Sequence, residues 1–204
     1  MSIIILSYTK NPAYYTMLKN CIESIGDYEI VVVETNSKLK GKDLMLPAKF
    51  IFPEEEFNYN RFLNIGFQNL DNKEKVIISN NDVVYEPGCI EQLYKSLDDY
   101  DSVSPTEVYS DENMLGNEVG KHVKGWCIGL RYNVYEKMGG WDENFKFWYQ
   151  DNDYCNFLEK HSLRHALIGN AVAKHLVSRS HELVDDLKLF TNDQITTLEQ
   201  KWGK

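Results

Sequence analysis

Three short runs of aliphatic and β-branched residues, in Ser2 to Ser7, Tyr28 to Val33 and Val76-Ile77-Ile78, are separated by stretches of helical periodicity. This alternation constrains the fold more than any other feature. Asn11-Pro12 opens a helix that runs to about Ile25 and stops at Gly26, the residue types that start and end helices. Phe50-Ile51-Phe52 reads as a short strand ended by Pro53, and the apolar positions Phe62, Ile65, Gly66 and Leu70 continue as a helix. Pro87 opens another helix through Ile90, Leu93, Tyr94 and Leu97. Strands alternating with helices at this spacing predict an α/β fold with a mixed, mostly parallel sheet flanked by helices.

The rhythm changes after residue 100. Strands are predicted at Asp101 to Ser104, Val123 to Leu130 and Ala166 to Ala173. Helices are predicted at Arg131 to Met138, Tyr149 to Lys160 and Asp185 to Trp202. No internal repeat or low-complexity linker divides the 204 residues, so the reading is one domain with two halves, 1–100 and 101–204.

Composition removes several function classes. With 31 Asp plus Glu against 22 Lys plus Arg the net charge is −9. A general nucleic-acid or anionic-membrane binder would carry a basic face instead. The first apolar run, Ile3 to Leu6, is too short for a signal peptide or a membrane span, which points to a cytoplasmic chain. The four cysteines, Cys21, Cys89, Cys127 and Cys155, form no CxxC pair, so a zinc ribbon or redox motif is not expected.

In open α/β sheets ligands bind beyond the carboxyl ends of the strands. Tyr8 and Thr9, Glu34 and Asn36, and Asn80, Asn81 and Asp82 stand at those ends. No GxGxxG follows the first strand, and Gly116 to Lys121 is one residue short of a P-loop, which demotes dehydrogenases and P-loop NTPases. A nucleotidyltransferase would carry a Gly-rich basic loop where this chain has Ser7-Tyr8-Thr9-Lys10-Asn11-Pro12. Asn80-Asn81-Asp82 suits either a simple turn or a carboxylate offered to a divalent cation. The stretch Gly139 to Asp153 is dense in aromatic and acidic residues, and Asp151 and Asp153 open a helix. On that helix the two would point about 200° apart, so one role for both is not expected and Asp153 reads as a structural hydrogen-bonder. Residues 161–181 hold four of the five histidines with Arg164, Lys174 and Arg179 and no acid, which suits an anionic group or a metal as well as an exposed basic edge.

Taken together, these motifs resemble the inverting nucleotide-sugar glycosyltransferases of family 2, which have the GT-A fold. The likeness runs from Ile3 to about His181. It rests on Ile3-Ile4-Ile5-Leu6-Ser7-Tyr8, Val31 to Ser37, Phe57 to Phe67 with its Asn-x-Gly, and Asn80-Asn81-Asp82 at the DxD position. Its most specific part is Gly140-Trp141-Asp142-Glu143 followed by Gln150-Asp151-Asn152-Asp153. Within the family the chain is most similar to the rhamnosyltransferase-like branch, and it also resembles glycosyltransferase domains of large algal (chlorella) viruses. Two positions depart from the family pattern: Asn80 replaces the first Asp of DxD, and Gln150 replaces the Glu before the base.

The resemblance implies a metal-dependent enzyme moving a sugar from a nucleotide diphosphate sugar, UDP-linked in the first instance, to a hydroxyl of a glycan acceptor. Asp151 would be the catalytic base. Tyr8, Thr9, Glu34, Asn36, Arg61, Asn64, Asn80 and Asn81 would hold the donor. Asp82 and His175, with His181 as the competing ligand, would bind Mn²⁺ or Mg²⁺, and the imidazole tilts the choice to Mn²⁺. Trp126, Asp142, Glu143 and Trp148 would meet the acceptor, while Trp141 is better placed in a core. The alternatives are a non-catalytic nucleotide-sugar-binding module and a nucleotidyltransferase. The shortness of the chain leaves room for further domains in a larger protein.

Overall fold

The computed structural model describes residues 1–42, 44–176 and 187–203, the last group with side chains only from 193. The predicted alternation is present: β1 (Ser2–Ser7), α1 (Pro12–Ile25), β2 (Glu29–Glu34), β3 (Lys49–Ile51), α2 (Tyr59–Gln68) and β4 (Lys75–Asn80) follow in order. Next come β5 (Val83–Tyr85), α3 (Cys89–Ser96), β6 (Ser102–Thr106), β7 (Met114–Leu115), β8 (Cys127–Arg131), α4 (Tyr132–Met138), α5 (Gln150–Lys160), β9 (His165–His175) and α6 (Leu187–Trp202). Asn11 caps α1 by accepting from the backbone N–H groups of Ala13 and Tyr14, and Gly26 ends it at φ 88°.

The strands form one mixed sheet in the order β3-β2-β1-β4-β8-β6-β9-β5, with β7 paired to β9 beside this line. From β3 to β4 the pairing is wholly parallel, while β8 runs antiparallel between β4 and β6. Side chains alternate across the sheet, and both faces are covered, which is why the strand sequences are apolar throughout. Ile3, Ile5, Val32 and Ile77 pack with Leu18 and Ile22 of α1 and Leu93 of α3. On the other face Ile4, Val31, Val33 and Val76 meet Phe62, Leu63 and Phe67 of α2 and Leu158 of α5. Each such side chain, fully withdrawn from water, contributes roughly 1.5–3 kcal/mol.

Three elements differ from the sequence expectation. The strand expected from Val123 begins only at Cys127, because Lys124 bridges back to Cys127 in a tight turn. β5 and β7 are too short for periodicity to reveal, and both are recruited by the long β9. Nor do the described residues of the basic segment, 161–176, form one face. His165 is buried, with ring nitrogens on Ser102 Oγ (2.8 Å) and the His122 carbonyl (3.1 Å), and burial lowers its pKa to about 4. Arg164 lies over the Tyr100 ring, and Lys174 pairs with Glu86. His181 lies outside the described residues.

Gly66, the glycine of the Asn-x-Gly motif, has a packing cause. A Cβ there would sit 2.6 Å from Ile4 Cγ2, a methyl on the stiff branch of a fully buried strand residue. Gly66→Ala is therefore expected to lower stability by about 1–3 kcal/mol despite its gain in helix propensity. The measurement is a urea titration, and an unchanged midpoint would contradict the packing account.

Candidate active site

β1, β2 and β4 end side by side, with Ser7 opposite Glu34 and Leu6 opposite Asn80. Beyond these ends lies a cleft lined by Ser7, Tyr8, Thr35, Asn80, Asn81 and Asp82 and walled by Tyr14, Phe57, Tyr59 and Phe147. Tyr8 and Asn81 stand where the sequence places them, and Asn81 Nδ2 donates to Ser7 Oγ at 3.1 Å.

Glu34 has a different position. Its carboxylate is fully buried and accepts from Thr9 N (3.0 Å), Thr9 Oγ1 (2.7 Å) and Asn36 N (2.8 Å). Asn36 Nδ2 in turn donates to the Thr9 carbonyl at 2.7 Å. The expected direct contact of Glu34 with a nucleoside is corrected by this burial: with Thr9 and Asn36 it locks the β1 and β2 loops together behind the cleft. An ionised carboxylate only accepts hydrogen bonds, and these backbone and hydroxyl donors occupy both oxygens.

Asp82 follows β4 and immediately precedes β5, whose Val83 pairs with His175 at the end of β9. That pairing brings Asp82 Oδ1 within 3.2 Å of His175 Nε2, and Leu176 N donates to the Asp82 carbonyl at 2.9 Å. Asp82 is buried, and neither of the two facing atoms is aligned with a hydrogen-bond partner among the described residues. Trp126 stacks on the His175 ring, centroids 5.2 Å apart and planes 10° from parallel, which fixes the imidazole. Among the described residues no cluster of three or more His, Cys, Asp or Glu side chains could by itself hold a metal ion. The buried oxygen and nitrogen nonetheless fit a divalent cation that takes its remaining ligands from a bound diphosphate or water.

A second, wider cleft adjoins the first. It is lined by Trp126, Trp148, Gln150, Asp151, His175 and Lys124, and shares Tyr59, Asn80 and Phe147 with the cleft at the strand ends. Asp151 lies in the first turn of α5. Burial raises its carboxyl pKa, against hydrogen bonding from the backbone N–H of Asn152 and its own. Gly125 has no side chain because a Cβ would meet Asp151 Oδ2 at 2.9 Å. Tyr149, just ahead, adopts a left-handed conformation at φ 63°, uncommon for a bulky residue and a sign of local strain at this turn. Asp153 points elsewhere: it accepts from Trp202 Nε1 (2.8 Å) and from Lys201 of α6. Gln194 Oε1 of α6 accepts from the backbone N–H of Phe147 and Trp148, so α6 clamps the loop that carries Trp148.

Besides Thr9, Glu34 and Asn36, four more sequence-nominated residues fall outside both clefts. Arg61 forks onto Glu55 (3.0 and 3.2 Å) and reaches Glu143 at 3.5 Å. Asn64 is buried; its amide donates to the Trp141 carbonyl and Glu143 Oε1 (both 2.9 Å), and its oxygen accepts from Trp141 N. It holds the Gly140-Trp141 turn rather than a donor. Asp142 accepts from Lys201 Nζ at 2.7 Å and from Asn144; burial would raise its pKa, but these bonds outweigh it and hold the carboxyl low. Glu143 Oε1 accepts from Asn64 Nδ2 at 2.9 Å and lies 3.5 Å from Arg61. Conversely, Tyr59, Phe147 and Lys124 line the clefts without having been nominated, although Tyr59 lies inside the Phe57 to Phe67 motif.

The fold is similar to solved structures of much longer chains. S. aureus TarS residues 1–349 match with a TM-score of 0.60 and 12% identity over 84% of this chain. GalNAc-T7, crystallised with UDP, GalNAc and Mn²⁺, matches with a TM-score of 0.63 and 10% identity over 85% of this chain. The chain spans 58% and 42% of those two chains, respectively. No curated protein matches the sequence. The family model described as Glycosyl transferase family 2 matches residues 2–166, and with four-fifths of its length so covered the chain belongs to that family.

Proposed function

We propose that the chain is an inverting, metal-dependent glycosyltransferase that moves a sugar from a nucleotide diphosphate sugar, UDP-linked, to a hydroxyl of a glycan acceptor. The observation that carries this reading is the junction of the two clefts. Asp82 stands on one side of it, Asp151 on the other, and His175 lines the same cleft as Asp151. Residues 1–100 supply most of the donor cleft, and 101–204 supply the base and the acceptor side. The rhamnosyltransferase-like branch and the algal-virus likeness rest on the motifs alone. Among the described residues no helix is long and apolar enough to cross a membrane.

In this mechanism Tyr8, Asn80 and Asn81 line the donor cleft, while Thr9, Glu34 and Asn36 fix its floor. Asp82 and His175 would hold Mn²⁺ or Mg²⁺, which when bound supplies Lewis-acid charge neutralisation to the leaving diphosphate. Asp151 accepts the proton of the acceptor hydroxyl as that oxygen attacks the anomeric carbon. The bond from that carbon to the diphosphate oxygen breaks on the opposite side, so the configuration inverts in one displacement. A raised carboxyl pKa makes Asp151 a stronger base once ionised. Trp148 offers an aromatic face to the acceptor, and Trp126 orients His175 as well as lining the cleft.

Thermal melts with UDP-, dTDP- and GDP-linked sugars, with and without Mn²⁺, test the donor assignment. At a hundredfold excess over Kd a ligand adds about 2.7 kcal/mol, or roughly 5 °C for a chain of this size. The expected pattern is a shift with UDP-sugars that needs Mn²⁺. Equal shifts with every nucleotide would remove the base preference, and no shift with any would remove the donor.

A further inference from the structure

Tyr59 occupies the one stretch of wall common to the donor cleft, the wider cleft and a smaller cavity that Asp151 also lines. It is the first residue of α2, and its backbone is fixed from two sides. Asn58 caps the helix by accepting from Arg61 N at 3.0 Å, and Tyr59 N donates to the Lys146 carbonyl at 2.7 Å. The ring is half-buried. Its hydroxyl hydrogen-bonds to none of the described residues, yet it is not among their sealed, unpartnered polar atoms. Tyr59 shares the wall of the first cleft with Asp82 and the walls of the other two with Asp151.

Chemistry then limits what the hydroxyl does. Ionised Asp82 and Asp151 accept hydrogen bonds and donate none. A sugar lying between them presents oxygens of its own that need donors, and the Tyr59 O–H is a donor held in place before the ligand arrives. We propose that the Tyr59 hydroxyl donates a hydrogen bond to the sugar undergoing transfer and helps decide which sugar the site accepts. This inference rests on the donor reading above. A site built to bond a substrate oxygen discriminates against analogues that lack it, because the partner is left unmatched.

Tyr59→Phe removes the hydroxyl and keeps the ring. Titration calorimetry in Mn²⁺ would compare UDP with UDP-glucose, UDP-galactose, UDP-GlcNAc and UDP-GalNAc, and dTDP with dTDP-rhamnose. For the nucleotide sugar that binds the native chain best, the variant is expected to bind roughly three- to tenfold more weakly, the scale of one hydrogen bond. Affinity for the matching nucleoside diphosphate and the melting temperature should not change. Equal affinities in variant and native chain for that nucleotide sugar would overturn the inference while leaving the donor reading intact. An equal loss for the bare diphosphate would also overturn it, placing Tyr59 on the nucleotide. If the native chain binds none of these ligands, the donor reading falls and takes the inference with it.

Discussion

Asp151→Asn is expected to lower sugar transfer by at least about a hundredfold, since a positioned general base typically supplies ~10² to 10⁴. The amide is nearly isosteric but takes no proton. Donor and Mn²⁺ binding should survive, because Asp151 lines the wider cleft and not the one at the strand ends. Folding should survive too. Burial raises the carboxyl pKa in the folded chain, so the ionised form costs stability above the unfolded pKa. A neutral Asn lacks that cost, and the melting temperature at pH 7 is expected to hold or rise. The same shift fixes the pH profile. The base works only when deprotonated, so kcat/KM should climb with pH through a midpoint raised from the ordinary Asp value and level off beyond it. A variant that transfers at the native rate, or a product that keeps the donor's anomeric configuration, would rule out Asp151 as the base.

Asp82→Ala is expected to abolish the Mn²⁺-dependent part of donor binding and to reduce transfer by at least about a hundredfold, the scale of losing Lewis-acid stabilisation of a leaving diphosphate. Asp82 and His175 face each other at 3.2 Å, and the alanine leaves the imidazole nitrogen buried opposite a void. His175→Ala should produce the same loss by the other route. Because the two would share one ion, the double variant should be little worse than either single one. Melts with UDP-sugar in Mn²⁺ and in EDTA distinguish the cases. A donor shift that persists in EDTA, or in Asp82→Ala, would remove the ion from the site.

The strand and helix order was legible in the sequence because those signals are local. Fully apolar runs mark doubly covered strands, Asn11-Pro12 starts a helix, and Gly26 stops one. The divergence of Asp151 and Asp153 also follows from helix geometry alone, and Asp153 does turn to Lys201 and Trp202. The nominations that moved share a different cause. Glu34, Asn64, Asp142 and Glu143 carry polar groups fit for a ligand, but each is engaged by residues remote in the chain. Sequence reports that a side chain can accept a hydrogen bond, not which donor reaches it first.

What the sequence determined by itself was therefore the α/β order, the strand ends where Asp82 and Tyr8 stand, and the family motifs around Asp151. Tertiary structure alone decided that β5 pairs with β9, which sets Asp82 against His175. It alone carried Tyr59 to the wall between the two clefts and set α6 to clamp the Trp148 loop. The physical reason is range. Propensity and capping act within a turn or two of the chain, whereas strand pairing and buried hydrogen bonds join residues whose separation in sequence carries no signal.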